Sequence, residues 1–289
     1  MNETSIPQFS EPVADLIYRR RSVRTYSRIP LPEDIQEKLL LYFQQLKGPF
    51  PVEVRFQLLH KPEVLAQSQL KLGTYGIIQG VSSFVAAAIP KKEYNLEQLG
   101  YLFENLILYL TSLGLGTCWL AGTFTKSEFS QAMKIGPDEL LPIVTPIGYP
   151  GWVRSPIDLL LKPIPQLKSR KAWNRLFFQD KFGAALDPSA AGPYALPLEM
   201  VRLAPSAANH QPWRIVRVNR LFHFYLQHHP RYSRAYPYDV QKIDLGIAMF
   251  HFDAVTAEEG LKGHWEIQKP VFDKIPENLE YIISWVSES

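Results

Sequence analysis

Three short runs bring together residue types that could do chemistry. The first is Arg19-Arg20-Arg21-Ser22-Val23-Arg24. Guanidinium groups present forked donors that match phosphate oxygens, and the Ser22 hydroxyl adds another donor. A solvated basic helix end has the same composition. The second is Leu113-Gly114-Leu115-Gly116-Thr117-Cys118-Trp119-Leu120-Ala121-Gly122. Its small residues let backbone amides approach a flat ring closely, or they cap a helix and lead into a core strand. It is not a dinucleotide fingerprint, because it follows a helical pattern instead of opening one. The third is Ala204-Pro205-Ser206-Ala207-Ala208-Asn209-His210-Gln211-Pro212-Trp213. Asn209 and Gln211 supply amide donors and acceptors, Ser206 supplies a hydroxyl, and Pro205 and Pro212 stiffen the backbone. Residue types alone leave open whether this is a rigid connector or a ligand-facing loop.

The elements around these runs follow from apolar spacing. Glu11 to Arg21 is expected to be helical, with Val13, Leu16 and Ile17 on one face. Glu33 to Leu46 reads as an amphipathic helix that buries Ile35, Leu39, Tyr42 and Phe43. Val52 to Leu59, Ser83 to Ile89 and Leu141 to Ile147 suit strands, the last stopped by Gly148-Tyr149-Pro150. Asn95 to Leu113 is a strong helix that ends at Gly114, a natural left-handed cap. Gly151 to Lys168 is proline-rich and reads as a surface arm. A helix from about Leu196 stops before Pro205, and strands follow over Arg214 to Val218 and Phe222 to Gln227. Ile243 to Gly260 is a second strong helix, and Tyr281 to Val286 a last strand.

Composition bounds the function classes. The chain has 289 residues, 46% of them apolar and 20% charged, with a formal charge of +3. That balance is ordinary for a globular protein and demands no nucleic acid or other polyanion as partner. The single cysteine, Cys118, excludes an internal disulfide and agrees with a reducing, cytoplasmic location. Met1 to Glu11 lacks the apolar core of a signal peptide. Tyr101 to Leu120 is interrupted by Glu104, Asn105, Gly114 and Gly116, so a buried helix and turn is expected there, not a membrane span. No His/Cys spacing suggests a metal site. His210 and His264 could donate protons, although lone histidines are more often structural or exposed.

The two strong helices also resemble each other. Leu99-Gly100 and Leu245-Gly246, Gly114 and Gly260, and Trp119 and Trp265 are each separated by 146 residues. A constant offset over twenty residues suggests a repeat. It predicts two similar halves, 1–178 and 179–289, packed about a pseudo-twofold axis like a dimer in one chain.

Together the runs resemble the nitroreductase family of FMN enzymes. Its members carry an Arg-x-Ser-x-Arg/Lys element, a Pro-Ser-Ser/Ala-x-Asn-x-Gln-Pro-Trp element and a Leu-Gly-x-Gly-x-x-Trp element. Here these look like Arg20 to Arg24, Pro205 to Trp213 and Leu113 to Trp119. Gly148-Tyr149-Pro150 and Lys168-Ser169-Arg170 resemble the family's Gly-Tyr-Pro turn and its later Lys-x-Arg. The order departs from the usual one. In ordinary members the Pro-Ser element closely follows the arginine element, whereas Leu46 to Phe56 has no such motif here and the run lies in the second half. That is similar to a fused branch of the family, in which one chain does the work of two subunits.

The resemblance implies an α+β fold, a three-layer α-β-α sandwich built as a pseudo-dimer, acting as a monomer or weak homodimer. It implies FMN as cofactor, with NADPH or NADH as electron donor and a small-molecule acceptor. Arg20, Ser22, Lys168 and Arg170 would hold the phosphate and ribityl chain. Arg21 and Arg24 would lie near the pyrimidine edge, where positive charge stabilises a reduced flavin anion. Pro205, Ser206, Ala207 and Asn209 would cross from the second half to cover the ring, and the backbone at Ala121 and Gly122 would sit near N5. Family members also use an asparagine in the region where this chain has Gly73-Thr74-Tyr75-Gly76, with no match. No side chain is expected to be catalytic, Cys118 included, since the flavin carries the chemistry. The rival readings are an FMN-binding carrier or sensor, and a non-flavin module whose basic run binds an anion or a protein.

Overall fold

The computed structural model describes residues 9–60, 72–151, 169–230 and 237–288. Helix α1 (Val13–Arg19) buries Val13, Leu16 and Ile17 and delivers the arginine run at its end. Helix α2 (Glu33–Gln45) starts directly after Pro32, whose fixed φ and missing N–H suit a helix start, and it buries Leu39 and Tyr42. Strands β1 (Arg55–His60) and β2 (Ser83–Pro90) pair antiparallel. Strand β1 begins at Arg55 and not at Val52, because the Val52 N–H bonds back to the Phe50 carbonyl in a tight turn around Pro51.

Helix α3 (Asn95–Ser112) is buried along almost all of its length. It is followed by β3 (Gly116–Thr117), the short helix α4 (Lys126–Ala132) and β4 (Glu139–Gly148). The first sheet has the order β1-β2-β4-β3. Its central strand β2 shows why the run is apolar throughout: Val85, Ala87 and Ile89 face α3, while Phe84, Ala86 and Ala88 face the layer that carries Phe124 and Phe129. This half therefore has the expected α-β-α layering.

The second sheet takes β5 (Phe177–Gln179), β6 (Trp213–Val218), β7 (Leu221–Gln227), β8 (Gly263–Glu266) and β9 (Leu279–Ser287), in the order β5-β6-β7-β9-β8. Helix α5 (Ala195–Leu203) and helix α6 (Gln241–Glu258) pack on one of its faces. Phe252 of α6 meets Phe224 and Trp285 edge-on. The other face carries Tyr225 under Phe182 and Phe272. Helices α3 and α6 lie against each other between the two sheets and give a mixed α/β architecture. No helix among the described residues is long and apolar enough to cross a membrane.

The helix pair repeats itself at the 146-residue offset. Both helices have 18 residues, and both of their ends are related by that offset. Leu115 N–H bonds to Leu110 O past the end of α3, and Leu261 N–H to Thr256 O past the end of α6. Gly114 and Gly260 take φ of +73° and +70° at these caps. A Cβ on Gly100 would lie 2.1 Å from the Ile243 carbonyl oxygen, and one on Gly246 would lie 2.0 Å from that of Glu97. Each helix thus needs a glycine where the backbone of the other crosses it. Trp119 donates to Glu104 on α3, and Trp265 donates to Asp253 on α6.

The expected strands and helices are present in the described residues, with ends shifted by a few positions. Strands β3, β5 and β8 and helix α4 have too few apolar residues in register to stand out from sequence. The surface arm falls on residues 152–168, outside the described residues.

Candidate active site

The segment after α1 runs extended along the first sheet. Ser22 bridges to Thr117, Thr25 to Gln79 and Tyr26 to Pro150. Extended backbone sends alternate side chains to opposite sides. Ser22 and Arg24 face a cavity of about 240 Å³, while Arg21 and Val23 line a separate groove with Gly114 and Gly116.

The cavity has walls from both parts of the chain. The N-terminal part supplies Ser22, Arg24, Cys118, Trp119, Ala121 and Ile143. Opposite stand Pro205, Ser206, Ala207 and Ala208, with Val240, Ile243, Asp244 and Ile247 from the start of α6. The apolar spacing on α6 reads from sequence as core; here it also forms a flat wall.

The Pro-Ser loop is held in an unusual backbone path. Ala208, Asn209 and Gln211 have φ of +44°, +57° and +48°, a region that costs non-glycine residues energy unless surrounding contacts enforce it. Those contacts are present. The Gln211 N–H donates to Ser206 Oγ at 2.9 Å. The Ala207 N–H points at the Asp244 carboxyl, 3.0 and 3.1 Å from its two oxygens. Asn209 donates to the Ser169 carbonyl, and its Oδ1 accepts from Arg170, both at 2.8 Å. The Lys171 N–H donates to Gln211 Oε1 at 2.7 Å. The loop therefore fixes Arg170 instead of turning Asn209 outward.

Cations gather beside this loop. Arg170 donates to the Ala204 carbonyl and to Asn209, both neutral. Burial, together with the charges of Arg20 and Arg202, brings its pKa down to about 10. Lys171 falls to about 8 through burial and the charges of Arg214 and Arg175. An anion placed here would relieve that repulsion.

Arg20 reaches the other way. Its Nε lies 4.0 Å from Oε1 of Glu104, which is wholly buried. Glu104 also accepts from Trp119 at 3.1 Å and faces His251 Nε2 at 3.0 Å. The His251 Nδ1 lies 2.9 Å from the Met200 carbonyl, which can only accept, so Nδ1 carries a proton. A hydrogen bond joins Nε2 to Glu104 Oε1. Replacement of Glu104 by Ala strands these donors and is expected to cost about 3 kcal/mol, a fall of about 5 °C in Tm. Replacement by Gln keeps an acceptor for Trp119 and a donor for His251, so its Tm falls far less. Equal loss in both variants, by calorimetry, would refute the hydrogen-bonded role of Glu104.

Of the residues expected at the site, Ser22, Arg24, Ala121, Pro205, Ser206 and Ala207 line one cavity. Arg170 and Asn209 adjoin it through the contacts above, while Arg20 lines the neighbouring groove and approaches the site only through Glu104 and the charge of Arg170. Arg21 lies in the neighbouring groove, and Gly122 is an exposed turn residue beyond Ala121. Lys168 lies outside the described residues. His210 packs on His229 with ring centroids 4.5 Å apart, and His264 is exposed on β8. Sequence reasoning passed over Asp244, Glu104 and His251. A lone acid in a helix's first turn reads as a dipole partner, and a His on an apolar face as core; only the 146-residue offset pairs Asp244 with Gln98 and so marks it.

The chain matches the family model described as "Putative TM nitroreductase" over residues 12–256. Among solved structures it is similar to a nitroreductase, also described as putative, from Thermotoga maritima. The identity is 19%, the TM-score 0.58, and 99% of this chain and 98% of that one are covered. It is also similar to a structure described as an oxidoreductase containing FMN, at 17% identity and TM-score 0.47, over 64% of this chain and 100% of that one. An NADH dehydrogenase/NAD(P)H nitroreductase, again described as putative, from Bacteroides thetaiotaomicron matches at 18% identity and TM-score 0.40, over 50% and 89%. No curated protein matches.

Proposed function

The chain belongs to the TM nitroreductase family, and from that premise we propose that it is an FMN-dependent NAD(P)H oxidoreductase with one flavin site per chain. The observation that carries this reading is the cavity walled from both parts of the chain, with Arg170 and Lys171 beside it bonded only to neutral groups among the described residues. Its residues fit FMN. Ile143, Trp119 and Ile247 offer apolar walls to a flat ring, and Ser22 and Arg24 offer donors at its edge. Arg20, Arg170 and, from its place in the motif, Lys168 suit the phosphate. When bound, FMN would supply hydride and electron transfer from NADPH or NADH to a nitro compound, a quinone or a similar acceptor, in ping-pong order. The protein's part is to orient the ring between Ala121 and the Pro205–Ala208 wall, to place positive charge near it through Arg24, and to keep bulk water off its buried face.

The halves 1–178 and 179–289 are proposed to descend from an internal duplication, so that one chain is a pseudo-dimer that acts as a monomer or weak homodimer; a cytoplasmic location is proposed with it. The reciprocal Gly100 and Gly246 contacts support this. So does the place equivalent to the cavity in the other half. There Phe50 and Tyr94 stack at 4.7 Å and 5°, where Ala207 and Val240 line the cavity. The Phe50 N–H bonds to Gln98 just as the Ala207 N–H bonds to Asp244. The second place is filled by side chains.

The test is anaerobic stopped-flow mixing of the FMN-loaded protein with NADPH or NADH. The flavin absorbance is expected to bleach within seconds and to return on addition of a quinone. A flavin that stays oxidised with both nucleotides would favour a carrier, and a protein that takes up no FMN would end the flavin reading.

A further inference from the structure

Asp244 is the one acid on the cavity wall among the described residues. It is 5% exposed. Its two oxygens share a single donor, the Ala207 N–H, and no cation lies within ion-pair distance among the described residues. Burial holds its pKa well above the ordinary carboxylate range; the Ala207 N–H opposes this and the nearby Asp239 carboxylate adds to it. The other ionisable groups facing this space are the Arg24 guanidinium and the Cys118 thiol on the opposite wall. Lys242, two residues earlier on α6, is drawn to Glu97 and Glu280.

The chain contains its own control for what this side chain must do. At the 146-residue offset stands Gln98, whose Oε1 accepts the Phe50 N–H at 3.0 Å. A neutral amide therefore suffices to anchor the loop, with no ionisable group to desolvate. Beside Gln98 the loop residue is Phe50, whose ring stacks on Tyr94. The acid stands on the side where the cavity is. One carboxyl oxygen is enough for Ala207, which leaves the other, with its proton, for whatever occupies the cavity.

We propose that Asp244 keeps its proton in the loaded cavity and donates it as a hydrogen bond to a carbonyl oxygen of the flat heteroaromatic ring seated there. This rests on the flavin reading above, in which that ring is the isoalloxazine, whose carbonyls are acceptors only. Ionised Asp244 has no donor and adds an unpaired charge beside the ring, so binding must draw a proton from solution at alkaline pH.

The test uses riboflavin, which lacks the phosphate and its own titration. Binding to the flavin-free full chain is followed by fluorescence quenching from pH 5 to 9.5. For the wild type the affinity is flat at low pH and then falls, approaching about tenfold per pH unit once Asp244 ionises. Asp244→Asn keeps both an acceptor for Ala207 and a donor for the ring, so its profile is expected to be flat throughout. A wild-type profile parallel to that of Asp244→Asn, or one that tightens with rising pH as an accepting carboxylate requires, overturns the proposal. Should the variant not fold, calorimetry of the wild type at alkaline pH in two buffers of different ionisation heat decides. About one proton taken up per riboflavin supports the proposal, and none overturns it. No riboflavin or FMN binding at any pH counts against the flavin reading itself; binding without the pH dependence counts against Asp244 alone.

Discussion

Asn209→Ala and Arg20→Ala are each expected to weaken FMN binding by about tenfold to a hundredfold, although the two residues lie in different halves of the chain. Each change removes or loosens a charge-assisted contact to the phosphate end, worth about 1.5–3 kcal/mol. Asn209 acts through Arg170, whose guanidinium it holds at 2.8 Å. In the proposed site Arg20 would act directly, its Nε 4.0 Å from Glu104 and its charge felt by Arg170. Two controls separate the amide from the backbone. Asn209 sits at φ +57°, so Asn209→Gly relieves the strain that alanine would add and should still lose affinity. Asn209→Asp sets a carboxylate against Arg170 and should lower affinity further, by neutralising the charge meant for phosphate. Fluorescence titration of the flavin-free protein with FMN measures all four. Full retention of affinity in either Ala variant would contradict a site shared between the halves.

Gly246→Ala is expected to lower Tm by about 7 °C, through loss of roughly 4–5 kcal/mol. The added Cβ would lie 2.0 Å from the Glu97 carbonyl oxygen and 2.8 Å from the Tyr101 nitrogen. Both are backbone atoms of a helix buried between two sheets, and neither can swing aside. The helix propensity gained from Ala, about 1 kcal/mol, offsets little of this. Gly100→Ala should behave alike, because its Cβ would meet the Ile243 carbonyl oxygen at 2.1 Å. Gly114→Ala is the comparison: it has φ +73° with nothing within 4 Å, so only backbone strain of about 1 kcal/mol is added. Thermal unfolding by circular dichroism ranks the three. If Gly114→Ala costs as much as Gly246→Ala, the helix crossing is not the tight contact described.

These glycines explain why the fold was legible in the chain. A crossing that tolerates no Cβ fixes Gly100 and Gly246, left-handed caps fix Gly114 and Gly260, and an indole donor to a buried carboxyl accompanies Trp119 and Trp265. Each is a local physical demand that leaves one residue type in place, so the 146-residue spacing survives in a single sequence. Strands β3 and β8 make no such demand, and α4 presents mostly polar residues, so they emerge only from tertiary pairing. The candidate site was legible on the loop side, where Pro205 and Ser206 stand in an uncommon run and reach the cavity wall. It was less legible on the helix side. Ile243 and Ile247 look like any core stripe, and Asp244 like a helix-start acid. Arg21 illustrates a different limit: the basic run is continuous in sequence, but extended backbone turns Arg21 away from the cavity that receives Ser22 and Arg24.

The central claim is one flavin site, assembled from both halves of one chain, with its counterpart filled by Phe50 and Tyr94. The most direct measurement is the molar ratio of flavin to chain. The protein is saturated with FMN and freed of excess, flavin absorbance is read after denaturation, and chain concentration is taken from amino-acid analysis. A ratio of about one is the predicted result. A ratio of two would mean that the place behind Phe50 also binds flavin and would contradict the shared single site, and a ratio near zero would contradict flavin binding altogether.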